Sequence, residues 1–173
     1  MADAEIEFNS VTSLRAEALG EPGQRTFRVV VESGADSAAI WLEKEQLLQL
    51  GLAMMQLLTS IPETEVPAGE RGREEGVGSP ARLDFQVGKL VLGHDGASGM
   101  FVIDAHNIEG GDDSPATVRV WGDRSQVGTF AEEALKVCAA GRPLCPLCGG
   151  PNDAAGHTCP RSNGHAPLDL SDL

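Results

Sequence analysis

Apolar residues recur at helical spacing in two stretches of the chain, residues 43–61 and 123–140. Steps of three and four residues predict amphipathic helices, each of which buries one face. The first stripe consists of Leu47, Leu50, Gly51, Met54, Leu57, Leu58 and Ile61, and the second of Val127, Phe130, Ala131, Ala134, Val137 and Cys138. Because Cys138 lies on such a stripe, we expect it to be a small buried apolar residue.

Runs of β-branched and aromatic residues bounded by Gly and Asp predict strands before each helix. The runs are 26–31, 38–42, 82–92, 100–103 and 116–121. In the run 82–92 the apolar positions alternate as far as Val87 and resume at Leu90, so Gly88 predicts a β-bulge. The turns are short and parallel strands need crossover connections, so we expect antiparallel pairing.

The two halves of the chain resemble each other. WLEKEQ at 41–46 aligns with WGDRSQ at 121–126, which places both tryptophans at the same position, and LGEPG at 19–23 aligns with LGHDG at 92–96. A repeat of this kind fixes the architecture. We therefore predict an α+β fold in which two βββα repeats, residues 1–61 and 82–141, form antiparallel sheets with two packed helices. Whether the repeats share one sheet is left open.

Two further segments lack apolar periodicity. Residues 62–81 combine Pro and Gly with alternating Glu and Arg, which predicts a flexible linker. Residues 165–173 form the end of the chain, which predicts a loose tail.

The first helix carries a second apolar set, Leu48, Leu52 and Met55, which one sheet cannot cover together with the first stripe. Two interpretations stay open at this point. Either the second helix packs on this set, or another copy of the chain does so in a homo-oligomer.

The formal net charge is −13, with 13 Lys and Arg against 26 Asp and Glu. This charge argues against nucleic acid and against an anionic membrane surface as the main partner, because both would be repelled. No apolar run approaches the roughly 20 residues of a membrane span. The acidic start of the chain also differs from a signal peptide, so we expect a cytoplasmic protein.

All four cysteines lie in the last fifth of the chain, and Cys145 and Cys148 form a Cys-x-x-Cys motif followed by Gly149. His157 and Cys159 follow after a short loop. Two thiolates three residues apart with a following Gly are typical of a metal knuckle, and a Cys₃His set satisfies a closed tetrahedral Zn²⁺ site. Soft thiolates with an imidazole favour zinc over magnesium or calcium. We therefore predict a zinc knuckle over residues 142–164.

Two histidines are candidates for the fourth ligand of this site. His157 precedes Cys159 directly, whereas His165 would have to fold back from the tail. A redox role for the Cys-x-x-Cys pair is the other interpretation, but redox motifs open a helix beside a βαβ sheet. Prolines and glycines surround this motif, and the predicted repeats contain no βαβ unit.

Three functions are compatible with these features. A closed metal site, a surplus apolar helix face and the absence of a catalytic constellation favour a non-enzymatic protein-interaction or adaptor module with a protein partner. The alternative is an enzyme, or enzyme subunit, that acts on a phosphorylated or anionic small molecule held at Arg25. A third hypothesis, nucleic-acid binding through the knuckle with Arg142 and Arg161, is opposed by the net charge.

The chain resembles a known family in four segments that occur in a fixed order. They are LGEPGQRTF at 19–27, LEKEQ at 42–46, AGRPLCPLCG at 140–149 and GHTCPRSNG at 156–164. Together they are similar to the bacterial domain-of-unknown-function family 3090. The resemblance implies a bacterial cytoplasmic protein with a zinc-ribbon-like tail that includes His157, and it implies no established activity. The chain departs from the family pattern in its first strand, near Glu5–Ser10, and in the composition of the linker.

Overall fold

The computed structural model describes residues 3–21, 23–63, 79–140, 145–150, 157, 159 and 161. The chain divides into two compact units, Met1–Ala139 and Ala140–Leu173. Most of the predicted linker, residues 64–78, and the whole of the predicted tail, residues 165–173, lie outside the described residues.

The first unit contains three strands and a helix, then three more strands and a helix, all preceded by one additional strand. The strands are β1 (Ala4–Phe8), β2 (Ser13–Leu19), β3 (Thr26–Ser33), β4 (Asp36–Leu42), β5 (Arg82–Asp95), β6 (Met100–Asn107) and β7 (Ala116–Gly122), and the helices are α1 (Lys44–Ser60) and α2 (Arg124–Ala139). The α+β class is confirmed. The internal repeat stays a prediction.

All seven strands form one sheet in the order β1-β7-β6-β5-β4-β3-β2. The purely antiparallel prediction is wrong at two places, because β4 pairs with β5 in parallel and β1 pairs with β7 in parallel. The first of these pairs is possible because α1 and the segment after it provide the crossover connection that parallel strands need. β4, α1 and β5 therefore form a βαβ unit. The prediction that the chain contains no βαβ unit, which was one argument against a redox role, is thus wrong. The Cys-x-x-Cys motif does not belong to that unit.

The β-bulge predicted at Gly88 is confirmed by the pairing of β5 with β6. The register shifts between Val87 and Lys89, which moves the core-facing positions from Phe85 and Val87 to Leu90 and Leu92. A Cβ atom on Gly88 would lie 2.9 Å from the Cα of Ile108. The close approach of the two backbones at the bulge thus requires glycine.

The sheet is strongly curled. Strands β1 and β2 form its opposite edges, yet only residues 9–12 connect them. In a flat sheet, six spacings of about 4.8 Å would separate these edges by about 29 Å. The five Cα–Cα steps from Phe8 to Ser13 span at most about 18 Å. The two edges must therefore approach each other at this end of the sheet.

Helix α2 packs against the edge strand β2. The backbone N–H of Ala16 donates to the carboxylate of Glu133 at 3.0 Å, and the side-chain amide of Gln126 donates to the carbonyl of Val11 at 2.8 Å. These side chains give partners to backbone groups that the edge strand and its preceding turn cannot pair within the sheet. Helix α2 therefore covers the β2 edge.

Both helices begin with reciprocal capping contacts between their first residues. At α1 the side chain of Gln46 accepts from the backbone N–H of Glu43 at 2.9 Å, and the Glu43 side chain caps the N–H of Gln46. At α2 the Asp123 carboxylate accepts from the Gln126 N–H at 2.8 Å, and the Gln126 side chain accepts from the Asp123 N–H at 3.0 Å. These contacts explain why each helix starts directly after its strand.

The two helices approach each other closely at Gly51 of α1. A Cβ atom on Gly51 of α1 would lie 3.3 Å from the side chain of Leu135 of α2, so the glycine lets the helices approach closely. Arg124 of α2 also donates to the carbonyls of Leu58 and Ile61 at 2.7 and 2.6 Å, which satisfies acceptors at the end of α1. The prediction for Cys138 is confirmed, since it is buried in this core.

A buried ion pair joins the two strands β6 and β7. Arg119 forms two hydrogen bonds with the carboxylate of Asp104, at 2.7 and 2.6 Å. The hydrogen bond with Asp104 raises the pKa of Arg119 above its ordinary value. The Trp121 indole next to it donates to Glu7 of β1 at 2.5 Å. This polar network links the parallel edge strand β1 to the antiparallel pair.

Candidate metal centre

The Cys-x-x-Cys segment folds into a tight turn with its own backbone hydrogen bonds. The N–H of Gly149 donates to the carbonyl of Cys145 at 2.9 Å, and the N–H of Cys145 donates to the carbonyl of Gly150 at 2.8 Å. Gly149 has a φ of +70°, a conformation that other residues adopt only at a cost. The glycine after the second cysteine is therefore what lets the chain reverse here.

This turn aims backbone N–H groups at both sulfur atoms. The N–H of Gly150 donates to the Sγ of Cys148 at 3.4 Å. Hydrogen bonds from the backbone N–H groups of Cys148 and Leu147 lower the pKa of the Cys145 thiol, because they stabilise its thiolate form. The Gly150 hydrogen bond acts in the same direction on Cys148, but desolvation and the neighbouring thiols outweigh it and raise the pKa of Cys148.

Four side chains converge on one point at this turn. The ligand atoms of Cys145, Cys148, His157 and Cys159 all lie within 4.8 Å of one another. The Sγ atoms of Cys145 and Cys159 are 3.9 Å apart, and the Sγ of Cys148 is 3.3 Å from the Nε2 of His157. Cys145 and Cys159 are buried, and the other two residues are half-buried. The arrangement is a compact Cys₃His group.

Two of these distances are close to what a tetrahedral ion would require. With metal–sulfur and metal–nitrogen bonds of about 2.3 and 2.0 Å, a tetrahedron places two sulfurs about 3.8 Å apart and a sulfur about 3.5 Å from a nitrogen. The observed 3.9 and 3.3 Å lie close to both values. Four such ligands complete the coordination shell of a structural site. The group can therefore hold one metal ion.

The structure brings His157 to the three sulfurs, whereas His165 lies outside the described residues. Cys138, the fourth cysteine, belongs to the first unit, where its sulfur contacts the carbonyl of Lys44 at 3.8 Å. Burial raises the pKa of its thiol. Cys138 thus differs from the other three cysteines in its surroundings.

Arg25, the predicted anion-binding residue, is half-buried between strands β2 and β3. Its Nε atom is buried and has no hydrogen-bond partner among the described residues. An unpaired buried donor of this kind favours an acceptor from outside the chain.

A cavity of about 380 Å³ was not predicted from the sequence. It lies between the turn after β5, the end of α1 and the start of α2, and His94, Asp123 and Arg124 are among its lining residues. These segments are far apart in the chain, so no local sequence pattern predicts the cavity. Within the described part of the chain, the only group of His, Cys, Asp or Glu side chains that could hold a metal ion is the Cys₃His group.

Comparison with known proteins gives one match. The model of a family described as "Protein of unknown function (DUF3090)" matches residues 6–159, which includes all four residues of the Cys₃His group. No curated protein and no solved structure matches the chain. Among the described residues, no helix is both long and apolar enough to cross a membrane.

Proposed function

The chain belongs to the DUF3090 family of proteins of unknown function, and we propose that it is a zinc-binding protein whose Cys₃His group holds a structural Zn²⁺ ion and which acts by binding other proteins. The observation that supports this proposal is the convergence of Cys145, Cys148, His157 and Cys159 within 4.8 Å. Three thiolates and one imidazole in tetrahedral spacing form a donor set that suits zinc.

A structural role follows from the number of ligands. A catalytic zinc ion keeps one position open for water or substrate, whereas four protein ligands leave none. The ion would instead order the turn at Cys145–Gly150 by tying it to His157 and Cys159. Such small units take much of their folding free energy from the metal. Thiolates must also stay reduced in order to bind the ion, which favours a cytoplasmic location.

The experiment is a metal analysis of the purified full-length chain and two cysteine variants. We expect about one zinc ion per chain in the wild type. Cys148→Ser removes one ligand and should lower the zinc content well below one per chain. Cys138→Ala is the matched control, because this cysteine lies in the other unit beside Lys44, and it should keep the full zinc content.

Two results would contradict the proposal. Wild-type protein that contains no metal, with Cys145 and Cys148 reacting rapidly with thiol reagents, would favour the redox interpretation. Equal loss of zinc in both variants would show that the metal does not depend on the Cys₃His group.

A second candidate function, binding of a small anion, is favoured by one observation, the unpaired buried Nε of Arg25. Inorganic phosphate is the simplest probe. If Arg25 binds an anion, phosphate should raise the melting temperature of the wild type but not of Arg25→Gln. Equal shifts in both proteins would reject this candidate.

A further inference from the structure

Strand β5 extends beyond the part that its neighbour β4 pairs. β4 pairs with residues 82–86 of β5, and β6 pairs with β5 from Val87 to Asp95. Among the described residues, no strand and no backbone hydrogen bond occupies the side of residues 89–94 that faces away from β6. This side of residues 89–94 is called the open edge below. It is about 20 Å long, because each strand residue advances about 3.4 Å.

The open edge lacks the features that protect other strand edges. Natural edges commonly carry charged side chains or are covered by another element, since their unpaired N–H and C=O groups otherwise pair with a foreign strand. β1 carries Glu5 and Glu7, and β2 carries Arg15 and Glu17. The centre of the open edge is instead the uncharged segment LVLG at 90–93. An unprotected apolar edge of this kind is a template for strand pairing.

Helix α2 covers the β2 edge, whereas α1 provides no such cover for the open edge. At β2 the carboxylate of Glu133 accepts from the backbone N–H of Ala16 at 3.0 Å. The offset of 80 residues that aligns WLEKEQ with WGDRSQ places Ala53 of α1 where α2 has Glu133. Alanine has no side-chain acceptor, so α1 cannot satisfy a backbone N–H of the open edge from this position.

A groove lies between α1 and the open edge. α1 begins at Lys44, directly after β4, and β4 is the neighbour of β5 on the side away from β6. The helix therefore lies on the open side of β5. The groove has a volume of about 330 Å³, and its apolar lining is Leu50 and Ala53 of α1 with Leu90 and Leu92 of β5. Apolar side chains from alternate positions of an added strand would fill it.

The charge beside the open edge favours a basic occupant. Among the described residues that line the groove, Glu45 alone is charged, and its carboxylate accepts a hydrogen bond from Gln49 at 3.0 Å. A chain with a net charge of −13 attracts positively charged segments and repels a second copy of itself. An extended peptide with apolar residues at alternate positions and a Lys or Arg near Glu45 fits both the edge and the groove.

From these observations we propose that the open edge of β5 binds an extended segment of a partner protein that combines basic and apolar residues. The segment adds to the sheet as a strand. Main-chain hydrogen bonds to the edge provide affinity, and the groove and Glu45 provide selectivity. This inference rests on the proposed protein-binding function and names the class of its partner. It is independent of the metal centre, because every residue involved lies in the first unit.

The probe is a library of random peptides of about eight residues, long enough to span the open edge. The peptides are displayed on phage and selected against the full-length chain. We expect enriched sequences with alternating apolar residues and at least one Lys or Arg. Fluorescence anisotropy then measures the affinity of a selected peptide for the purified protein. If no peptide is enriched beyond its level on an unrelated acidic protein, the proposal is overturned.

Methylation of the peptide nitrogens tests strand pairing directly. Successive N–H groups of an extended peptide point to opposite sides, so one alternate set faces the open edge. Methylating that set should weaken binding by roughly tenfold or more, because it removes the donors of the main-chain hydrogen bonds. Methylating the other set should weaken binding far less. Equal effects of the two sets would show that the peptide does not add as a strand, and the proposal would be wrong.

Two variants of α1 test the groove at equal net charge. Ala53→Arg fills the groove with a long side chain, which should weaken peptide binding by roughly tenfold or more. Leu52→Arg makes the same charge change at the adjacent exposed position, which does not line the groove, and it should bind like the wild type. Arginine is a good helix former, so both variants should fold, as circular dichroism would verify. Equal affinities of the two variants would place the peptide elsewhere and contradict the proposal.

Zinc content is measured on the same samples, so that the two proposals can fail separately. A zinc-free wild type that binds the peptide would contradict the metal site and support the open edge. A zinc-containing wild type that binds no peptide would do the reverse. Sedimentation tests the other occupant: a wild-type dimer that Ala53→Arg dissociates would assign the open edge to a second copy and overturn the peptide proposal.

Discussion

Removal of the Glu133 carboxylate tests whether α2 stabilises the edge of the curled sheet. In Glu133→Ala, the backbone N–H of Ala16 loses the acceptor that it contacts at 3.0 Å. Ala16 is only 3% exposed, so water does not readily replace the lost oxygen. An unsatisfied buried N–H costs about 1–3 kcal/mol of folding free energy. Since Glu133 itself is half-buried, we expect a loss near the middle of this range, about 2 kcal/mol.

The assay is urea unfolding followed by tryptophan fluorescence. Both tryptophans of the chain, Trp41 and Trp121, lie in the first unit, so the signal reports the unfolding of the sheet and its helices. A loss of about 2 kcal/mol corresponds to a decrease in melting temperature of roughly 4–8 °C for a chain of this size.

Two controls isolate the hydrogen bond. Glu132→Ala removes the same side chain from the adjacent exposed position, and its unfolding free energy should stay within about 0.5 kcal/mol of the wild type. Glu133→Gln keeps an acceptor oxygen and should lose less than Glu133→Ala. If Glu132→Ala and Glu133→Ala were equally stable, the edge contact would contribute nothing measurable, and the role assigned to α2 would be refuted.

Two other predictions concern the interior of the first unit. Gly88→Ala should lower the unfolding free energy by about 1–3 kcal/mol, because its Cβ would lie 2.9 Å from the Cα of Ile108 and would force the two backbones apart. Gly96→Ala, whose Cβ meets nothing within 4 Å, is the control for urea unfolding. Burial raises the pKa of the Cys138 thiol, so the stability gained from its neutral form is complete below the ordinary cysteine pKa of about 8.5 and is lost at higher pH. Cys138→Ala should therefore show a smaller decrease in unfolding free energy between neutral and alkaline pH than the wild type, and an identical decrease would contradict this.

The local elements could be predicted because their signals lie within a few residues. The apolar stripe of α1 follows from side chains three and four apart, and the bulge at Gly88 follows from the change of alternation between Val87 and Leu90. The capping contacts of Gln46 and Gln126 were equally local, because they lie in the paired segments WLEKEQ and WGDRSQ. The capping-box pattern in these segments predicts them.

The parallel pairs could not be predicted from such signals. β1 and β7 are separated by more than 100 residues, and no local pattern links Glu7 to Trp121. The pairing of β4 with β5 depends on α1 acting as a crossover rather than as the end of a separate repeat. Short turns between neighbouring strands determine only the antiparallel pairs, so they cannot exclude a parallel pair across a helix.

The same distinction separates the metal centre from the outer surface of α1. Cys145 and Cys148 are three residues apart, and His157 and Cys159 follow within one loop, so most of the geometry of the Cys₃His group is determined by short stretches of chain. The apolar set on α1 was equally visible in the sequence, but its surroundings were not. Leu48 and Met55 partly pack on the core while Leu52 stays exposed. The groove along α1 at Leu50 and Ala53 also needs Leu90 and Leu92, from a strand that joins through the unpredicted parallel pair. A surface that depends on long-range pairing can be recognised only once the fold is known.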